Sequence, residues 1–569
     1  MASIASLTKP YSAPPNKKIF ITFLTLLFVF TFPLLIQIIF SDFVREGEYN
    51  SRLGWSLIIM FIGLLTNRPA AIKILLIPFI IGGSIDIGYA ISFGGVFTTA
   101  TLEAVFNTDT GEAMEYAASY FSLPLISILL FYWLTLLILF RFITFNVPLT
   151  KTRHTFLILG LILCITAGYR IAIMQKYHDT IPGFLGSMPS YYKGHMNVQQ
   201  EILLRQKFIE SQTSNKVSMS NKDRSQTYIF LIGESINRNH IYTYGYHRNT
   251  TPNITRLENE LTVFNDVISS HAQTNASLRL ALTEANIKNK KNYRDALSIV
   301  DSANMAGFET WWISNQQPIR SVFASISAQA DQVEFISNDY QGVETNRYDG
   351  FMLPYIQDAL NDSAEHKVIF IHMMGSHAQY ANRYPPEFSQ FDDNNIEAYD
   401  KNISQGKIDS INEYDNSIYY TDWIFNQILE SLQQSRGEIK ALTFFADHGE
   451  EIFDQKNIKG HSPDNVTANM VEIPMITWTS EEYNQSHEKQ FTAMRENISE
   501  GFQLDNFFHF ANDLMGIRSS QIKQEYSLSS TKYIEPSQRK IYRKSYEQDL
   551  RYRFSNTPKS ETPKQVVQK

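Results

Sequence analysis

Several short stretches of this 569-residue chain end in residues able to bind a metal or attack phosphorus. A β-branched and aromatic run at 227–232 is followed by Gly233-Glu234-Ser235. A second, at 261–268, leads through Ser269-Ser270-His271-Ala272-Gln273 to Thr274 and then a helical stretch. The runs at 367–372 and 439–446 end in His372-Met373-Met374-Gly375-Ser376-His377 and in Ala446-Asp447-His448-Gly449-Glu450-Glu451. Gly460-His461-Ser462-Pro463 follows shortly after. Carboxylates with imidazoles are a hard-to-borderline ligand set suited to zinc or manganese. Taken singly, a Glu after a strand is a solvated turn and Thr274 is an ordinary N-cap. Gathered at four strand ends, they argue for a site. A threonine hydroxyl is a poor nucleophile until a base or metal activates it. Zinc held by Glu234, Asp447 and His448 would lower its pKa and polarise a phosphoryl oxygen. A helix starting at Thr274 would place N–H groups and the positive dipole end beside an arriving anion. His377 and His461 would bind phosphoryl oxygens or protonate a leaving alkoxide. The chemistry is a two-step transfer through a phospho-threonine.

Such residues need a frame. Strand-like runs at 227–232, 261–268, 308–314, 367–372, 439–446 and 474–478 alternate with helix-like stretches at 252–260, 275–286, 350–360, 411–435 and 505–516. That alternation predicts an α/β fold with a largely parallel sheet, whose sites form at the carboxyl ends of strands.

The rest of the chain is different. Overall it is 44% hydrophobic and 19% charged, with a net charge of -7 and one cysteine. This excludes a disordered tail protein, a collagen-like repeat, a disulfide scaffold and a general nucleic-acid binder. The average conceals a stretch from Ile19 to Met174 with only 16 charged side chains. Spans are expected at 19–41, 53–67, 74–93, 121–140 and 155–173, making a five-helix transmembrane bundle. The second is short and needs Arg52 and Arg68 to snorkel to the interfaces. Lys9, Lys17, Lys18, Arg68, Lys73, Arg141, Lys151 and Arg153 fall on alternate sides of the spans, while the other loops are mixed or acidic. The positive-inside rule then puts the N-terminus in the cytoplasm and everything after the fifth span outside. Asp86 is an acid inside a span, a functional candidate by default unless it is hydrated or paired near the outer interface. Cys164, mid-span, reads as a packing residue. The expected organisation is a membrane domain at 1–175, a connector at 176–225, a catalytic domain at 226–554 and a disordered tail at 555–569.

With these residues in view, the sequence resembles the phosphoethanolamine transferases of Gram-negative envelopes, within the alkaline phosphatase and sulfatase superfamily. Beyond the strand ends, the resemblance rests on Asn237-Arg238 and on Tyr244-Gly245-Tyr246-His247-Arg248-Asn249-Thr250-Thr251-Pro252-Asn253. It implies a sulfatase-like α/β/α sandwich, zinc ligation by Glu234, Thr274, Asp447 and His448, and substrate contacts from His377 and His461. Thr108 and Glu112, in an outer loop, match a segment that binds the phosphoethanolamine head group; an amphipathic interfacial helix is the plainer account of that loop. A further substrate-binding segment falls near Trp312-Ile313-Ser314-Asn315-Gln316. The resemblance implies transfer from phosphatidylethanolamine to lipopolysaccharide, in the core or on lipid A, by an inner-membrane protein with a periplasmic catalytic domain. Many lipid A-modifying members have disulfide-rich catalytic domains and a Cys-Gly-Thr-like segment where this chain has Ala272-Gln273-Thr274. The cysteine-poor pattern is more similar to members that modify the lipopolysaccharide core. A sulfatase would need a Cys or Ser nucleophile before x-Pro-x-Arg, absent around Thr274; a glycerol-phosphate transferase shares the threonine logic.

Overall fold

The computed structural model describes residues 15–41, 47–107, 122–145, 150–177, 180–194, 198–212, 216–316, 322–336, 348–392, 403–463, 465–542 and 544–551. Thr108, Glu112 and the tail at 555–569 lie outside the described residues. The chain forms two compact units, one of residues 1–105 and 117–195 and one of residues 106–116 and 196–569.

In the first unit, helices cover Pro15–Phe40 (α1), Glu48–Thr66 (α2), Pro69–Phe93 (α3), Leu123–Leu139 (α4) and Lys151–Ala172 (α5). Four stretches, Lys17–Phe40, Pro69–Phe93, Leu123–Phe142 and Lys151–Ala172, are long and apolar enough to cross a membrane among the described residues. The second expected span, at 53–67 within α2, does not qualify, because the helix's first turns carry Glu48, Asn50, Ser51 and Arg52. Nor does Arg52 snorkel. Its side chain is 2% exposed and lies between Glu48 and Asp86, each at 2.8 Å. It also donates to the carbonyl of Phe30 at 3.1 Å. Asp86 is therefore paired and buried, and its other oxygen accepts from the N–H of Phe184 at 2.9 Å. An arginine at this depth needs such partners, since breaking a buried pair leaves an uncompensated charge.

The second unit is built on a seven-stranded sheet. Its strands, in chain order, are Gln226–Gly233 (β1), Leu261–Val263 (β2), Glu309–Ser314 (β3), Gln332–Phe335 (β4), His366–His372 (β5), Ile439–Ala446 (β6) and Met475–Thr479 (β7). Across the sheet the order is β2-β7-β6-β1-β5-β3-β4. β6, β1, β5, β3 and β4 are mutually parallel, whereas β7 runs antiparallel to both its neighbours. Every residue of β1 and β6 is buried, as expected for strands covered on both faces. The two layers can be read from adjacent residues of β6, whose side chains alternate. Phe444 packs on Phe425 of the long helix Gln405–Gln434 (α7), and Phe445 packs on Phe507 of the helix Phe507–Leu514 (α8). This is the expected α/β/α sandwich. The run at 261–268 is not one strand, however: Val267–Ile268 leaves the sheet to pair in parallel with Phe502–Gln503. β4, with its alternating Gln-Val-Glu-Phe on the edge, was not anticipated.

The segment after β1 clamps α7. Tyr246, Arg248 and His240 all bond to Asp415 of α7, at 2.9, 2.9 and 2.7 Å. Arg248 also donates to Asn412 at 2.9 Å. Farther along α7, Asp422 accepts from the N–H groups of Asn253 and Ile254, both at 2.9 Å. His240 is buried and its second nitrogen meets Asp454 at 3.1 Å. Burial alone would lower its pKa, but Asp454 and Asp415 push it up to about 10. A raised histidine stabilises the fold fully below its unfolded value near 6.5 and loses that contribution as pH rises through about 10. We therefore expect His240→Gln to destabilise the second unit by about 3 kcal/mol below pH 6.5, with the difference shrinking steadily toward pH 10. Denaturation of the two full-length proteins across that range checks this; a gap independent of pH contradicts it.

Candidate active site

Register creates the site. Gly233 and Ala446 are partners in the β1–β6 ladder, so the next residue on each strand, Glu234 and Asp447, emerges side by side. Both are completely buried, as is His448. Thr274 opens the helix Thr274–Ala281 (α6), but its hydroxyl does not cap that helix; the N-cap position belongs to Gln273. The hydroxyl instead donates to Glu234, lying 3.2 and 3.1 Å from its two oxygens and 3.4 Å from His448 Nε2. His448 Nε2 is in turn 3.4 Å from Glu234 and 3.5 Å from Asp447. The four expected ligands thus converge.

The donor set fits a cation. His448 Nδ1 lies 2.8 Å from the Gly449 carbonyl. A carbonyl only accepts, so Nδ1 keeps its proton and Nε2 is the nitrogen turned toward the acids, the one left to bind a metal once its own proton leaves. Asp447 Oδ1 accepts from the N–H groups of Ser235 and His448 at 3.1 and 2.7 Å. Its Oδ2 is buried without a hydrogen-bond partner among the described residues. An orphan carboxylate oxygen in a dry site costs several kcal/mol unless a cation meets it. The electrostatics agree. Burial and the Glu234 charge push Asp447 up to about 8. Burial opposes a charged His448, yet Asp447 and Glu234 hold it up to about 10. Burial would also raise Glu234, but the hydrogen bond and charge of His448 keep it well below the usual carboxylate range.

The two expected substrate contacts flank this group. His461 Nδ1 bonds to Glu450 at 2.7 Å, and its ring lies 4.2 Å from that of His448. Glu450 was not assigned a role from sequence, although it stands three residues beyond Asp447. Its other oxygen accepts from the Tyr380 hydroxyl at 2.8 Å. His448, Glu450 and His461 also bring one ligand atom each within 4.8 Å of one another, but both Glu450 oxygens are already engaged. His377 rides on the loop after β5, where desolvation keeps its ring neutral. Asp349 fixes that loop through the N–H groups of Met374 and Gly375 at 2.7 and 2.8 Å. Gly375 has φ +50°, and a Cβ there would come within 2.8 Å of the Glu234 backbone, so the loop can approach Glu234 only as glycine. Gln316 was also left without a role. It sits beyond the carboxyl end of β3, and its Nε2 donates to Glu234 Oε2 at 2.9 Å. The strand-end rule points there too.

Comparisons with known proteins bear on the fold and the family. A family model described as Sulfatase matches residues 226–517. The phosphoethanolamine transferase EptC of Escherichia coli K12 is 29% identical over 448 residues, spanning 75% of this chain and 77% of its own. The crystal structure of the C-terminal periplasmic domain of E. coli EptC, in complex with Zn, is 30% identical. It covers 59% of this chain and 97% of its own, with a TM-score of 0.55. The integral membrane lipooligosaccharide phosphoethanolamine transferase A of Neisseria meningitidis shares the fold over 91% of this chain and 98% of its own. Its TM-score is 0.65, at 19% identity. The chain belongs to the sulfatase family, in the group formed by these phosphoethanolamine transferases.

Proposed function

We propose that this protein takes phosphoethanolamine from phosphatidylethanolamine and hands it to lipopolysaccharide through a phospho-threonine at Thr274. The observation that carries this is the placement of a partly exposed hydroxyl within 3.4 Å of Glu234 and His448, beside the unpartnered Asp447 oxygen. Glu234, Thr274, Asp447 and His448 would hold zinc, which when bound would supply Lewis acidity toward the hydroxyl and a phosphoryl oxygen. Glu234 accepts the Thr274 hydrogen, leaving the oxygen's lone pairs free to attack phosphorus. The phosphorus–oxygen bond to diacylglycerol breaks, and the departing alkoxide takes a proton from His461, whose ring is fixed by Glu450. In the second half an acceptor hydroxyl gives its proton to His461 and attacks phosphorus, the phosphorus–Oγ bond breaks, and Thr274 Oγ takes its proton back from Glu234. His377, kept neutral by burial, contributes one ring N–H donor to the phosphoryl oxygens. Thr108 and Glu112 would contact the ethanolamine head group.

A bilayer donor accounts for the membrane-spanning helices. The charge pattern supports an inner-membrane protein with a cytoplasmic N-terminus and a periplasmic catalytic unit. The acceptor is best assigned to the core, since the sole cysteine is Cys164 and the catalytic unit has none.

Incubated with phosphatidylethanolamine, the purified protein should carry a phosphoethanolamine adduct on Thr274 by peptide mass spectrometry. Thr274→Ala should lose the adduct and lower transfer at least ~10³-fold; an adduct elsewhere contradicts the assignment. Zinc binding to metal-free protein at pH 7 should release protons, because Asp447 and His448 must give theirs up. Affinity should consequently rise with pH. Calorimetry in buffers of different ionisation enthalpy measures the release, and its absence contradicts the ligand set.

A further inference from the structure

All three backbone and side-chain polar functions of Ser235 act on the candidate ligands or their support. Its N–H donates to Asp447 Oδ1 at 3.1 Å, and its hydroxyl donates to Glu234 Oε1 at 2.8 Å. Its carbonyl accepts from the Tyr414 hydroxyl at 2.7 Å. That same hydroxyl accepts from the N–H of Asn237 at 2.8 Å, stapling the turn to α7. Ser235 is 1% exposed and has φ +57°, a left-handed conformation that costs a residue with a Cβ about 1 kcal/mol. Glycine would hold the turn without that cost. Strain kept at such a place marks a side chain that is needed. On the far side of the carboxylate, Gln316 donates to Glu234 Oε2 at 2.9 Å and to the Met373 carbonyl at 3.0 Å. Each oxygen of Glu234 therefore has one outer donor, with the Thr274 hydroxyl between them.

We propose that Ser235 is a positioning residue for the metal, orienting Glu234 through its hydroxyl and Asp447 through its N–H, with Gln316 as the opposing donor. The proposal rests on the metal-binding reading of the site. A carboxylate held from both sides presents its remaining lone pairs in one direction, and outer partners of this kind set metal affinity.

Ser235→Gly separates this role from a merely structural one. The substitution removes the hydroxyl while relieving the backbone, and glycine's extra freedom in the unfolded chain offsets part of that gain. The metal-free full-length variant should melt at or above the wild-type temperature. Its zinc affinity, measured by competition with a chromophoric chelator, should nevertheless fall ~10-fold or more. Gln316→Leu should fall by a similar factor, and the double variant further. Wild-type affinity in Ser235→Gly overturns the proposal, as does a metal-free Ser235→Gly protein of clearly lower stability. Absence of zinc binding by the wild-type protein would overturn the metal reading and this proposal with it.

Discussion

Glu234 and Asp447 stand at the ends of adjacent parallel strands, both removed from water, where two negative charges would repel across a few ångströms. A low-dielectric interior makes that repulsion expensive, and the protein offsets it with a single imidazole. His448 is held between them by its neighbour's carbonyl, and Thr274 is turned away from its own helix to face Glu234. Most of the surrounding architecture serves to keep two acids where neither would choose to be. On the proposed reading a divalent cation would resolve the conflict, and the same ion would make the threonine hydroxyl a usable nucleophile. Structure and chemistry here share one cause.

The helix α7 carries much of the load. Tyr414 staples the turn after Glu234, Ser417 bonds to Ser376 on the His377 loop at 2.8 Å, and Asn416 accepts from the backbone at residues 390 and 391. Opposite, Asp415 and Asp422 receive the segment from His240 to Ile254. The block Tyr244–Asn253, the most distinctive stretch of the chain, thus holds α7. Its role is to set the height and rotation of a helix whose other face aligns the catalytic loops.

Strand ends were legible because a β-branched and aromatic run followed by an acid or histidine is a local pattern. Glu234, His377, Asp447 and His448 are singled out that way, Thr274 and His461 by following such runs at a short distance, and the runs themselves mark six of the seven strands of the sheet. The roles of Ser235, Gln316 and Glu450 are not legible that way: Gln316 lies just past a strand end, but what all three do rests on hydrogen bonds to partners distant in sequence or not paired by any spacing. Arg52 failed for a related reason. Its place near the start of an apolar stretch suggested an interfacial side chain, while its partner Asp86 lies on another helix. The second span fell short because the same acid–base cluster dilutes its hydropathy. The break of 261–268 into two strands follows from Phe264-Asn265-Asp266, where Asp266 pairs with Arg539 from the far end of the chain.

Anomalous diffraction at the zinc edge, from crystals of the full-length protein grown with zinc, addresses the central claim most directly. A peak bounded by Glu234, Thr274 Oγ1, Asp447 Oδ2 and His448 Nε2 is the predicted result. No peak there, or one held instead by His448, Glu450 and His461, would contradict it.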